Sequence, residues 1–108
     1  MIYTVDEIAR IVKPVAERYG LRAVYLFGSY ARGTATEHSD VDLLIDTTGT
    51  ALKSLLQVAA VYCDLEEALG KPVDLITVSS LEQRAQMPSE QNFRTNVWNE
   101  KVDLYVAA

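Results

Sequence analysis

Asp40 and Asp42 stand two residues apart at the head of an apolar run, Val41-Asp42-Leu43-Leu44-Ile45. On a strand, alternation puts both carboxylates on one face, where they repel each other unless a cation lies between them. A dozen residues earlier, Gly28-Ser29 closes another apolar run, Tyr25-Leu26-Phe27. A Gly-Ser step at a strand end lets backbone N–H groups approach an anion with no Cβ in the way. Tyr30-Ala31-Arg32 then suits a first helical turn, whose N–H groups lack internal partners. Paired hard oxygen donors opposite an anion-binding turn suggest Mg²⁺ holding a nucleoside triphosphate.

These residues need strands to carry them and helices to cover the strands. Thr4 and Glu7 form a capping-box pattern ahead of Val5, Ile8, Ile11, Val12, Val15 and Tyr19, which share one helical face. Pro14 falls inside that pattern and predicts a kink or a restarted helix, and Gly20 predicts its end. Strands are expected over residues 23–27, 41–45 and 73–78. A turn at Thr47-Thr48-Gly49-Thr50 precedes a helix expected over Ala51–Leu69, ended by Gly70. Leu52, Leu55, Leu56, Ala59, Tyr62 and Cys63 read as its core stripe. Ala51, Val58, Val61 and Leu65 widen the arc to half the helix or more, enough to cover extra sheet or to meet another chain. Ser79 or Ser80 is the expected cap of a short helix through Glu82, Gln83 and Arg84. Met87-Pro88-Ser89 reads as a break, and Glu90 to Glu100 as a polar last helix in which Phe93 and Trp98 serve core or partner surface. Val102 to Val106 forms a terminal strand or an extended arm.

The string Gly28-Ser29, Ala31-Arg32-Gly33, Ser39-Asp40-Val41-Asp42-Leu43 resembles the signature of the DNA polymerase β-like nucleotidyltransferases, and most closely their smallest branch, the minimal nucleotidyltransferase (MNT) domains. The resemblance covers nearly the whole chain and implies an α/β (α+β) fold with an α-β-α-β-α-β core. It implies that Asp40, Asp42 and Asp74 are catalytic and hold Mg²⁺, two ions in all, and that Asp74 assists deprotonation of the acceptor. It places Gly28 and Ser29 on the β and γ phosphates of ATP. Arg32 is either a bidentate phosphate donor or an exposed helix arginine. If these groups form a single site, the first two strands run antiparallel and the strands of Asp42 and Asp74 run parallel. The helix between the latter two is then the crossover of a mixed sheet. The neighbouring residues have blander readings: a solvated His38, a Ser39 that orients the Asp40 turn, an Asp46 turn residue and a core Cys63.

The chain has 108 residues, is 49% hydrophobic and carries a net charge of −5, which fits one globular domain spanning 1–108. The acidic balance argues against sequence-independent nucleic-acid binding. One cysteine allows neither an internal disulfide nor a cysteine zinc site, no signal peptide opens the sequence and no run reaches membrane-spanning length, so a cytoplasmic protein is expected. MNT domains commonly occur with a small helical HEPN protein, so the resemblance implies an antitoxin that transfers AMP from ATP to a tyrosine of a HEPN ribonuclease toxin. A non-catalytic antitoxin acting by contact, and a small-molecule nucleotidyltransferase of the aminoglycoside-modifying kind, are the alternatives. The sequence leaves open whether the assembly is a hetero-oligomer or a homodimer.

Overall fold

The computed structural model describes residues 2–52, 54–84, 86–87 and 90–107. Elements follow in the order α1 (Val5–Tyr19), β1 (Ala23–Phe27), α2 (Gly28–Arg32), β2 (Val41–Asp46), α3 (Leu55–Leu69), β3 (Val73–Thr77), α4 (Val78–Arg84), α5 (Gln91–Glu100) and β4 (Val102–Val106). The strands form one mixed sheet in the order β3-β2-β1-β4. β1 is antiparallel to both β2 and β4, whereas β2 and β3 are parallel and joined through α3. The terminal segment is therefore a paired strand, with a register shift beside Val24 and Tyr25. The break expected at Pro88 and Ser89 lies outside the described residues. Among those described, no helix is long and apolar enough to cross a membrane.

Strand alternation divides the core into two layers. On one face Val24 and Leu26 of β1 and Val41, Leu43 and Ile45 of β2 pack with Ile8, Val12 and Val15 of α1 and Val61, Leu65 and Leu69 of α3. On the other face Phe27 and Leu44 meet Leu81 of α4 and Val97 of α5, with Tyr25 and Phe93 at the margin. Residue 42 has the parity of Leu44, so the Asp42 side chain belongs to the face covered by α4 and α5.

Local chemistry explains the boundaries. Thr4 Oγ1 accepts from Glu7 N and Glu7 Oε1 from Thr4 N, closing the expected capping box of α1. Pro14 neither ends nor restarts this helix, which runs unbroken from Val5 to Tyr19. The proline lies on the exposed side, where water can take over the carbonyl that loses its partner. The long helix starts at Leu55, not Ala51, because Ser54 and Gln57 form a second capping box. The segment before it stays in turn conformation, with Thr50 N donating to Thr47 O and Leu52 N to Thr50 Oγ1. Neither Ser79 nor Ser80 caps α4; the helix begins at Val78, and Thr77 Oγ1 accepts from Ser80 N.

The expected core stripe of α3 needs a larger correction. Leu55 and Leu56 are 84% and 83% exposed, and Ala59 and Cys63 are exposed as well. The buried edge is Val61, Leu65 and Leu69, flanked by half-buried Val58 and Tyr62. The helix is apolar over an arc wider than the sheet and α1 can cover, so composition alone did not show which edge is buried. Removing the buried edge should cost more than removing the exposed one. Leu65→Ala is expected to lose about 2–5 kcal/mol in urea unfolding, and Leu55→Ala to stay within about 0.5 kcal/mol. The reverse ranking would mean that the Leu55 edge is the one packed in solution.

Candidate active site

Register brings the sequence-predicted residues to one end of the sheet. Phe27, the last residue of β1, lies opposite Asp42, and Asp42 is level with Asp74 across the parallel pair. Asp40 precedes β2 by one residue, in an exposed turn held by Thr36 N donating to Ser39 Oγ at 2.8 Å. Ser39 thus orients the turn, as its position suggested. The chain leaves β1 into α2 through Gly28 at φ +73°. A Cβ there would overlap the Asp42 carboxylate, so the glycine is required by the aspartate as well as by its own backbone angle.

A cavity of about 340 Å³ is lined by Gly28, Arg32, Asp42 and Asp74 on the sheet side and by Phe93, Asn96, Val97 and Glu100 of α5 on the other. Ser29 and Asp40 are not among the residues that line it; Ser29 follows Gly28 in α2, and Asp40 acts on Asp42 through its charge. His38 is exposed and borders a separate groove with Tyr3 and Lys71. Asp46, at the far end of β2, accepts from Thr48 N, as expected of a turn residue. Arg32 is half-exposed, and its Nη1 donates to Glu100 Oε2 at 3.1 Å.

The α5 wall was missing from the sequence reading. Asn96 and Glu100 are four residues apart and therefore share a helix face, but no motif marks them, and which face meets the carboxylates depends on tertiary packing. Trp98 turns away from the cavity wall, edge-on to Tyr25 at 6.4 Å between ring centroids, with Lys101 above both rings. Phe93 packs edge-on against Phe27.

The site is electrostatically frustrated. Burial, reinforced by the charges of Asp74 and Asp40 and opposed by Arg32, pushes the Asp42 carboxyl up from 3.8 to about 6. Among the described residues no three carboxylates close into a ready cation cage. Asp42 and Asp74 are level on neighbouring strands, and Asp40 acts on Asp42 from the adjoining turn. Hard oxygen donors whose charges disfavour one another fit a divalent cation such as Mg²⁺.

Comparison with known proteins identifies the family and the fold. The sequence profile of the nucleotidyltransferase domain matches residues 8–103. The protein adenylyltransferase MntA of Thermococcus cleftensis is 44% identical over 82 residues, covering 72% of this chain and 81% of that protein. A solved structure described as a minimal nucleotidyltransferase superposes with a TM-score of 0.66 at 31% identity, covering 93% of this chain and 95% of the other. The fold also matches a chain in the complex of tri-AMPylated HEPN toxin with MNT antitoxin from Shewanella oneidensis, with a TM-score of 0.63 at 17% identity, over 96% of this chain and 74% of that one.

The raised Asp42 carboxyl has a measurable consequence. Between pH 4 and 6 the metal-free folded chain holds this proton more tightly than the unfolded chain does, so Asp42 adds stability as the pH falls through 6. That increment is complete below about 4 and absent above 6. Metal-free Asp42→Asn should therefore unfold at higher urea than wild type at pH 7.5, with the gap closing by pH 4. A gap that does not change with pH would mean an ordinary carboxyl.

Proposed function

The chain belongs to the nucleotidyltransferase domain family, and from that premise we propose that it is a protein adenylyltransferase moving AMP from ATP to a hydroxyl, most simply a tyrosine, of a HEPN-type toxin. The observation that carries this reading is the alignment of Asp42 with Asp74 at the end of β1 where Gly28 turns the chain. The 44% identity to the Thermococcus adenylyltransferase supports the choice of reaction, and the named partner of the Shewanella structure suggests the acceptor.

In this reading Asp40, Asp42 and Asp74 would hold Mg²⁺, two ions in all. Bound Mg²⁺ supplies Lewis-acid neutralisation of the phosphate charge. Gly28 and Ser29 seat the β and γ phosphates against the start of α2, and Arg32 adds a guanidinium donor. The acceptor oxygen attacks the α-phosphorus. A new P–O bond forms as the bridge to the β-phosphate breaks, and pyrophosphate leaves with that electron pair. Asp74, exposed at the cavity edge, accepts the hydroxyl proton. The acidic chain, net −5, suits a basic RNA-cleaving partner in a cytoplasmic complex and not direct nucleic-acid binding.

The test is label transfer from α-labelled ATP with Mg²⁺ into lysate of the source cell, alongside γ-labelled ATP. One labelled protein band is expected with the α label only, and Asp42→Asn should lower its rate by about a hundredfold or more. Stable binding of a partner without transfer of label would instead establish an antitoxin that works by contact. Transfer to a small hydroxyl compound without any protein would establish the small-molecule reading.

A further inference from the structure

Arg32 and Glu100 face one another across the cavity mouth, one from α2 beside the glycine turn and the other from the last residue of α5. Their contact is a single hydrogen-bonded ion pair of 3.1 Å, with side chains 50% and 39% exposed. Such a pair is weak, because water and salt screen it and two long side chains must be held in one geometry. A phosphate group offers the same guanidinium two oxygens in a matching plane and more negative charge. Glu100 is also an extra carboxylate on a cavity that already holds Asp42 and Asp74 and, on the proposed function, must admit a polyanion.

We propose that Glu100 is a stand-in for phosphate: it holds Arg32 in the empty site, yields it when nucleotide arrives and retakes it as pyrophosphate leaves. Glu100 is thus a positioning residue that acts through Arg32, and it sets how tightly the nucleotide is held. Because it competes for the arginine, it lowers affinity for the triphosphate and for pyrophosphate alike. Its place at the end of α5 also links occupancy of Arg32 to the seating of that helix, which supplies the wall of the cavity. This inference rests on the nucleotidyltransferase reading of the site.

The test is binding of a non-hydrolysable ATP analogue, and separately of pyrophosphate, to the full chain with Mg²⁺ at low salt. Glu100→Gln should bind both roughly two- to fivefold more tightly than wild type, with the advantage shrinking in high salt. Its urea midpoint should be unchanged, which separates the effect from a merely structural one. Arg32→Ala should bind both more weakly, and adding Glu100→Gln to that variant should gain clearly less than the same change gains beside Arg32, the remainder being relief of direct repulsion. Equal or weaker binding by Glu100→Gln, while wild type binds the analogue normally, would overturn the latch and leave the enzymatic reading standing. The same gain with and without Arg32 would also overturn it, since the effect would then be direct repulsion. Failure of every variant and of wild type to bind nucleotide would remove the enzymatic reading and the latch together.

Discussion

The central strand β2 is bonded on one side to an antiparallel neighbour and on the other to a parallel one, and its residue 42 lies level with Phe27 and Asp74 simultaneously. This double pairing brings the glycine turn and two carboxylates to one point. A slip of one residue in either pairing would turn Asp42 into the layer of Val41, Leu43 and Ile45 and put Val41 or Leu43 in its place. The apolar residues of β2 prevent this, because Val41, Leu43 and Ile45 are fully buried beneath α1 and α3. The inner core therefore serves as the alignment device for the outer site. Its leucines, valines and isoleucines are as necessary to the chemistry as the aspartates, although none of them touches the cavity.

The parts of this arrangement that were legible in the sequence are those fixed by local rules. The Thr4–Glu7 box, the glycine stop at Gly20 and the strand runs are decided within a few residues, and the structure keeps them. Strand directions were legible for a different reason: requiring Gly28, Asp42 and Asp74 to meet leaves few topologies, and a parallel pair needs a crossover such as α3. The α5 wall was not legible, because Asn96 and Glu100 acquire meaning only once packing through Val97 aims their side of the helix at the carboxylates.

The error over α3 has the same origin. A helix with a narrow apolar stripe announces its buried side, whereas one rich in alanine and leucine over most of its circumference does not. Here Val61 and Leu65 compete with Leu55, Leu56 and Ala59 for the core, and geometry settles the contest: the last three turns of α3 reach the sheet and α1, and the first turn overhangs them. The cap pair Ser54 and Gln57 fixes where that overhang begins. The chain thus leaves two adjacent leucines on the surface.

Gly28 and Asp42 occupy what is in effect a shared volume, since the space a Cβ would take at one is filled by the carboxylate of the other. Aspartate already carries the shortest acidic side chain, so no acidic replacement at 42 can make room for a side chain at 28. Residue 28 therefore cannot gain a side chain unless residue 42 gives way. This also changes what a glycine variant reports. A defect produced by enlarging residue 28 would combine backbone strain at the turn with a displaced carboxylate on the neighbouring strand, and reading it as a lost phosphate contact would overlook both.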